Sequence, residues 1–286
     1  MGARRRQYTI CPVLVLLVLL SFMFGSLALS QEMYKVAVLP EYLPIELWQR
    51  FHPILMYLED VIRARFELVI ASSFEGHISL VKEGRVQFFY HNPYVFVQVW
   101  DYCSPLTITK QNKGAIESKG VIIARKDSHI EGITSLRGKR ISVASTYSAG
   151  GFIAPKLLLE QNGLSDADVF IVEAKGNQQE NVLHDVLDRR AEAGFVNEAV
   201  LKRIESKGSL SPGRMQDLSI LAYTEAVPNW VFCANKTLPM NIQEKVQKTL
   251  LNIPPDHPVL TDAQIEGFAR VPVGFLDRYR AKIGRQ

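Results

Sequence analysis

The chain has 286 residues, of which 47% are apolar and 22% charged, so it can bury a core as one large domain or two ordinary ones. This composition excludes a disordered chain. The formal net charge of +4 includes three arginines in the first six residues, and the remaining basic residues are interspersed with acids. This pattern excludes an extended nucleic-acid-binding surface, so no nucleic-acid partner is predicted.

Residues 1–30 have the pattern of an export signal. A basic start precedes an apolar run from Val13 to Leu29, and the small residues Ala28 and Ser30 have the spacing of a cleavage site. The run is also barely long enough to span a bilayer, so an uncleaved membrane anchor is the alternative. In both cases the rest of the chain is predicted to be exported to the periplasm.

From Gln31 onward, short β-branched runs alternate with helical stretches, which is typical of a mainly parallel α/β sheet. Strands are predicted around 34–39, 66–71, 86–90 and 106–109. Helices are predicted around 45–63 and 74–83, and a short helix is predicted to start at Pro93. The polar segment 110–120 is predicted to connect this unit to a second one.

The second α/β unit has predicted strands around 120–126, 140–144, 169–174 and 193–196, and predicted helices around 134–137, 152–162, 178–190 and 198–207. An extended return over 218–235 follows, and then three helices around 239–251, 261–269 and 274–283. We therefore assign residues 31–110 and 224–286 to a first lobe and 111–223 to a second. Two lobes joined by two crossings predict a hinged cleft that closes on a small ligand.

The candidate ligand contacts lie on loops that leave strands and enter helices, because ligands of open parallel sheets bind beyond the carboxyl ends of the strands. The polar and aromatic residues of these loops are Tyr42, Ser72, Tyr90, His91, Tyr94, Asn177, Gln178, Asn197 and Glu198. A carboxylate at Glu198 would repel an anion but would hold the amine of a zwitterion. The alternative for the aromatic residues is that they pack beneath the cleft.

Residues 145–163, STYSAGGFIAPKLLLEQNG, combine a small-residue loop with a helix start, directly after a strand. Backbone amides in this arrangement can cradle an anion. The predicted contacts in the loop are Thr146, Tyr147, Ser148, Ala149, Gly150 and Gly151. The alternative is a tight turn whose glycines serve backbone geometry alone.

Five stretches together resemble the phosphate, phosphite and phosphonate substrate-binding proteins of ABC importers. They are 36-VAVLPEYLPIELWQRFHPILMYLE, 92-NPYVFV, 120-GVIIARKDSHIEGITSLRGKRISV, 151-GFIAPKLLLEQNG and 193-AGFVNEAVL. The resemblance covers nearly the whole chain after the export signal. It implies an α/β fold of the two-lobed type 2 periplasmic binding kind, with two crossover hinge segments and a cleft between the lobes.

The resemblance also identifies site residues and departures. Tyr94 occupies the tyrosine of the family's Gly-Pro-Tyr motif, which reads Asn-Pro-Tyr here. The family commonly has serines and threonines before the position of Gly151, where this chain has Ser148, Ala149 and Gly150. A family histidine is replaced by Gln178. Because these departures remove donors for a tetrahedral oxyanion, a carboxylate is an alternative ligand to a phosphonate.

The function implied is an extracytoplasmic solute-binding protein of an ABC importer. It would be a monomer that captures a small anion or zwitterion and delivers it to a membrane permease. The alternatives are a ligand-sensing input protein for a membrane histidine kinase and an enzyme on the same fold, for which Ser148 has only His91, across the cleft, as a basic partner. The six histidines show no paired metal-site spacing, so neither metal nor cofactor is predicted.

The exported part of the chain contains two cysteines, Cys103 and Cys233. An oxidising compartment permits a disulfide between them, and two separate buried thiols are the alternative. In the type 2 binding folds that the chain resembles, the strand that returns after the second crossing lies antiparallel beside the fourth strand. This arrangement would bring Cys233 near Cys103, so the resemblance favours the disulfide.

Overall fold

The computed structural model describes residues 32–208 and 210–283. The predicted signal or anchor segment lies outside them. Eleven strands are described: β1 Met33–Val38, β2 Arg65–Ile70, β3 Phe88–His91, β4 Cys103–Lys110, β5 Glu117–Arg125, β6 Arg140–Val143, β7 Phe170–Glu173, β8 Ala193–Asn197, β9 Leu218–Pro228, β10 Val231–Asn235 and β11 Gly267–Ala269.

Ten α-helices are described between or after these strands. They are α1 Pro44–Ile62, α2 Phe74–Lys82, α3 Pro93–Gln98, α4 Ala154–Gln161, α5 Gln179–Leu187, α6 Glu198–Lys207, α7 Pro212–Gln216, α8 Met240–Leu251, α9 Pro258–Ala263 and α10 Phe275–Ile283. The sequence accounts for several of their ends. Asn92, for example, caps α3 with its side chain and precedes a proline in the first turn, where the missing amide costs nothing.

The first sheet has the strand order β11-β4-β10-β3-β1-β2. Strands β1, β2 and β3 are parallel, whereas β10 is antiparallel to both β3 and β4. The prediction that the returning strand lies antiparallel beside the fourth strand is therefore confirmed. The apolar residues of β1 and β3, such as Val36 and Phe88, are fully buried against α1, α8 and α9.

The second sheet has the order β7-β6-β8-β5-β9. Strands β6, β7 and β8 are parallel, and β5 runs antiparallel to both β8 and β9. Strand β9 reaches Pro228, so residues 224–228, which the predicted boundary assigns to the first lobe, pair with β5 in the second sheet.

The chain crosses between the sheets twice, and Asn229 joins the two crossings. One crossing follows β4 and the other links β9 to β10. The buried side chain of Asn229 donates to the carbonyls of Thr109 and Ala115 at 3.1 and 3.0 Å. Its backbone amide donates to the carbonyl of Ile116 at 2.8 Å. Because a buried amide must find partners, these bonds hold the crossings side by side.

Two predicted helices are wrong. Residues 261–269 do not form one helix, because α9 ends at Ala263, Gln264 adopts a left-handed φ of 58°, and β11 then pairs with the edge of β4. The available edge of the first sheet outweighs a weak helical pattern. Residues 133–136 form only a 3₁₀ turn.

Among the described residues, no helix combines the length and the apolar character that crossing a membrane requires.

Gly194 provides a test of the packing between β8 and α5. A Cβ at this position would lie 2.6 Å from Val182 Cγ1 and 2.9 Å from Val186 Cγ2, both in buried side chains. We expect Gly194→Ala to lower the free energy of unfolding by about 1–3 kcal/mol, because the core has no room for the methyl group. Chemical denaturation measures this change.

Gly132→Ala is the matched control, since a Cβ there meets no atom within 4 Å. Equal stabilities of the two variants would contradict the packing described here.

Candidate functional site

A cavity of about 730 Å³ lies between the two sheets. Loops at the ends of β1 and β3 form one wall with α1, the starts of α5 and α6 form the opposite wall, and the two crossings close the back. Its polar lining residues are Glu41, Tyr42, Arg50, Tyr90, Asn92, Gln111, Asn112, Lys113, Ser118, Ser148, Gln179, Asn197, Lys202, Arg203, Ser206, Asn229, Trp230, Gln264 and Glu266.

Two side-chain contacts cross the cavity from the loop after β1 to the helices of the second sheet. The carboxyl of Glu41 hydrogen-bonds the side chain of Gln179 in α5. The hydroxyl of Tyr42 hydrogen-bonds the guanidinium of Arg203 in α6. The structure therefore has the two walls in contact at this edge of the cavity.

The guanidinium of Arg50 is the least satisfied polar group of the lining. The residue is only 9% exposed, and Nε and Nη1 are buried without a hydrogen-bond partner. Nη2 donates to the carbonyl of Ala263 at 3.1 Å, and the group stacks 4.4 Å from the ring centroid of Tyr42. The carboxylate of Glu46 lies 3.7 Å from Nη1, which is too long for a hydrogen bond.

Three other charged groups that line the cavity have partners. Lys202 pairs with Glu198 at 2.7 Å, and Arg203 pairs with Glu180 at 2.5 Å. The carboxylate of Glu266 accepts from the backbone amides of Lys113 and Gly114. Arg50 is therefore a buried lining cation with donors left for a ligand.

Glu41 is an acid whose charge depends on pH near neutrality. Burial in the cavity raises the pKa of its carboxyl to about 7, although Arg50, the bond from Gln179 and Arg203 all act in the opposite direction. At pH 7 the carboxyl is therefore partly neutral. A neutral Glu41 repels an anion less than a carboxylate does.

The 148–153 turn is fixed by close packing. Ala149–Ile153 forms a π-helical turn that leads into α4. A Cβ on Gly150 would lie 2.4 Å from Asn197 Nδ2, and a Cβ on Gly120 would lie 2.4 Å from the carbonyl oxygen of Gly150. A larger residue at position 150 would displace either the turn or the Asn197 side chain, so the glycine present there has a packing reason.

Two of the backbone amides predicted to cradle an anion are used within this turn. The amide of Gly151 donates to Ser148 Oγ at 3.1 Å, and that of Phe152 donates to the Ser148 carbonyl at 3.0 Å. This part of the expected anion cradle is therefore already satisfied.

The structure brings six of the fifteen predicted ligand contacts to the cavity wall: Tyr42, Tyr90, Ser148, Ala149, Gly150 and Asn197. Tyr90 is held by a 2.8 Å hydrogen bond between its hydroxyl and Thr109. Asn197 caps α6 and donates to Ser118 Oγ at 2.9 Å. The other nine do not line this cavity: Ser72, His91, Tyr94, Thr146, Tyr147, Gly151, Asn177, Gln178 and Glu198.

Tyr94 and Tyr147 lie in an aromatic contact between the sheets. The ring of Tyr147 stacks on Phe74 at 5.3 Å and meets Tyr94 edge-on at 6.0 Å. Its hydroxyl hydrogen-bonds Glu75, and this bond raises the pKa of Tyr147 to about 12. Asn92 Nδ2 donates to the Tyr147 carbonyl at 3.0 Å. These residues hold the walls together outside the cavity.

The remaining positions have local explanations. Ser72 is exposed beside Ser73, which caps α2. His91 points to the opposite side of the first sheet, where His77 and Cys233 surround it. Asn177 adopts a left-handed φ of 55° in the turn before α5.

Gln179 replaces Gln178 as the cavity residue of this turn. Gln178 is the residue before α5, whereas Gln179 begins the buried face of that helix and its Oε1 accepts from the Asn197 amide at 2.6 Å. The loop pattern therefore located the segment but missed the residue by one position.

Sequence reasoning also missed Glu41, Arg50 and Trp230. Glu41 stands next to Tyr42 in a loop that was identified. Arg50 lies inside α1, and its only sequence signal is a charge on the otherwise apolar face formed with Leu47 and Phe51.

The predicted disulfide is not present, since Cys103 and Cys233 are both free and buried. The expectation that the two residues lie close together agrees with the structure, because their sulfurs are within 4.8 Å of each other.

Two α/β sheets that are joined by two crossings and enclose a polar cavity define a type 2 periplasmic binding protein fold. The family described as ABC transporter, phosphonate, periplasmic substrate-binding protein matches residues 36–272. The chain belongs to this family, whose members bind substrates outside the cytoplasm. The resemblance noted from the sequence is thereby confirmed.

The proteins similar to the chain include two curated relatives and a solved structure. It is 24% identical over 229 residues to the phosphate-import protein PhnD of Mycolicibacterium smegmatis, with 76% of this chain and 70% of PhnD covered. It is 25% identical over 187 residues to the tetrathionate sensor histidine kinase TtrS of Salmonella typhimurium, with 61% of this chain covered. The match spans about a third of that relative, 32% of its length.

The solved structure is PhnD1 of Prochlorococcus marinus in complex with methylphosphonate. It superposes with a TM-score of 0.74 at 15% identity, with 89% of this chain and 97% of that chain covered. At this identity the likeness concerns the fold.

The raised pKa of Glu41 predicts a pH dependence of stability. The folded state holds this proton more tightly than the unfolded chain, so the wild type loses stability as pH rises from about 4.5 to about 7. Glu41→Gln stays neutral, and relative to it the wild type should lose on the order of 1–2 kcal/mol across this window. Chemical denaturation at a series of pH values measures the difference.

Glu67→Gln, which removes an exposed acid on β2, is the control and should follow the wild type. A constant difference between wild type and Glu41→Gln from pH 4.5 to 7 would show that Glu41 titrates normally.

Proposed function

We propose that this protein captures a small anion in the cavity between its two sheets and delivers it to an ABC permease in the membrane. The observation that carries the proposal is Arg50, a buried guanidinium whose Nε and Nη1 have no hydrogen-bond partner. The family to which the chain belongs supports the delivery step, because substrate-binding proteins of ABC importers act with a membrane permease.

Electrostatics support an anion as the ligand. A buried donor without a partner costs about 1–3 kcal/mol, more when it is charged, and an oxyanion that bonds Nε and Nη1 removes this cost. Glu41 opposes the anion only when ionised, whereas Arg50 keeps its positive charge and its free donors at all relevant pH values. The balance of charge therefore favours an anion over a cation.

The size of the cavity bears on which anion binds. A volume of about 730 Å³ is in the range of sites for ligands with many more atoms than inorganic phosphate. We propose a phosphonate-, phosphite- or phosphate-like ligand. Water, or an organic substituent of the ligand, would fill the rest of the cavity. Carboxylates are the alternative, since the 148–150 turn offers one hydroxyl where the family commonly has several.

Trp230 lines the cavity and can report binding through its fluorescence. We expect a phosphonate, phosphite or phosphate to change the fluorescence and raise the melting temperature. At 100 times its dissociation constant the ligand should stabilise the protein by about 2.7 kcal/mol. The panel should also contain sulfate, tetrathionate and short carboxylates.

Arg50→Gln should weaken the anion that binds by about thirtyfold or more, roughly 2 kcal/mol, because it removes the charge and the free donors. Arg65→Gln, which removes an exposed arginine at the start of β2, is the matched control. Equal affinities of Arg50→Gln and wild type, or no binding from the whole panel, would contradict the proposal. Turnover of a bound ligand would indicate an enzyme.

A second candidate function is ligand sensing for a membrane histidine kinase. The match to the kinase TtrS over 61% of this chain supports it. A freely diffusing carrier needs a cleaved signal, whereas an anchored sensor retains it. We expect the protein isolated from the periplasm to begin near Gln31, as read by N-terminal sequencing.

Retention of residues 1–30 in the membrane fraction would favour the sensor over the carrier. This measurement is independent of the ligand panel.

A further inference from the structure

A histidine and two cysteines meet on the side of the first sheet that faces away from the cavity. His91, Cys233 and Cys103 belong to three neighbouring strands, β3, β10 and β4. His91 and Cys233 are completely buried, and Cys103 is 2% exposed. One imidazole nitrogen and the two sulfurs all lie within 4.8 Å of one another. Because the ligands come from separate strands, no sequence spacing reveals them.

The distances suit a bound metal ion. His91 Nε2 lies 3.7 Å from Cys233 Sγ. An ion held at about 2.3 Å from sulfur and about 2.0 Å from nitrogen keeps these two atoms about 3.5–3.8 Å apart. The protein therefore needs little movement at this pair to accept an ion.

The surroundings orient His91 as a ligand. His77 in α2 places its Nε2 3.3 Å from His91 Nδ1, so the second nitrogen of the His91 ring is occupied and Nε2 faces the sulfurs. A hydrogen bond of this kind from a neighbouring group is typical of metal-bound histidines.

We propose that His91, Cys103 and Cys233 bind one Cu(I) ion. Thiolate sulfur is a soft ligand that selects Cu(I) or Zn²⁺ among common metals. Structural Zn²⁺ takes four ligands, and among the described residues no fourth histidine, cysteine or acid joins this group. A three-ligand site of two sulfurs and one nitrogen therefore favours Cu(I).

The charge balance agrees with Cu(I). When Cu⁺ binds one sulfur as a thiolate, the other as a neutral thiol and the imidazole nitrogen of His91, it displaces one proton from one thiol, and this leaves the site neutral. The surrounding residues, such as Phe89, Phe96 and Val99, are apolar and penalise a net charge. Without the ion, the thiol of Cys103 donates to the Val99 carbonyl at 3.2 Å, so loading replaces a weak hydrogen bond.

The ion would link β3, β10 and β4, which are the central strands of the first sheet. Because the ligands are buried, loading requires folding in the presence of copper. This site is separate from the proposed anion cavity and does not depend on it.

The test uses the full chain with Cys11→Ser, so that the remaining thiols are Cys103 and Cys233. The protein is refolded anaerobically with Cu(I) supplied by a competing chelator. We expect one copper per chain, sulfur ligands in its X-ray absorption spectrum, and a higher melting temperature than the copper-free protein. Cys103→Ser and Cys233→Ser should each weaken copper binding by about tenfold or more.

His129→Gln is the matched control, since His129 lies in a turn of the second sheet, away from the cluster. Copper content or affinity that is the same in both cysteine variants as in His129→Gln would overturn the proposal. If a cysteine variant fails to fold, the X-ray absorption spectrum of the protein that keeps His91, Cys103 and Cys233 still tests the proposal. A spectrum without sulfur ligands, or a Cys103–Cys233 disulfide that forms in place of copper binding, would also overturn it.

Discussion

The bonds made by Asn229 are the constraint on which the cavity depends. One buried side chain holds the carbonyls of Thr109 and Ala115, and thereby fixes the crossing that leaves β4 beside the crossing that enters β10. Both sheets are attached to this pair of segments. The contacts Glu41–Gln179 and Tyr42–Arg203 join the two walls at another edge of the cavity.

Most charged side chains that line the cavity are paired, but Arg50 and Glu41 are not fully compensated. The paired charges, such as Lys202 with Glu198, make a small contribution to binding. Arg50 differs because folding buries it with donors unused, and Glu41 beside it changes charge near neutral pH. Burial of Arg50 and Glu41 therefore lowers the stability of the protein without a ligand. A bound anion can accept hydrogen bonds from Arg50.

The alternation of strands and helices, the family and the segments that form the cavity walls could be predicted from the sequence, because each depends on local apolar patterns. It was insufficient wherever the outcome depended on distant partners. Gln179 faces the cavity and Gln178 does not because α5 starts one residue later than the predicted helix. The segment 261–269 is partly a strand because β4 has a free edge. Arg50 gave no loop signal, since its role follows from the packing of α1.

Gly150 has a consequence for protein engineering. Its Cα fits against Asn197 with no room for a side chain, and Gly120 fits against Gly150 in the same way. A serine or threonine at position 150 would therefore have to displace the Asn197 side chain from its hydrogen bond to Ser118. Changes of ligand preference are better sought on the facing wall, at Tyr42 and the neighbours of Arg50, where side chains already line the cavity.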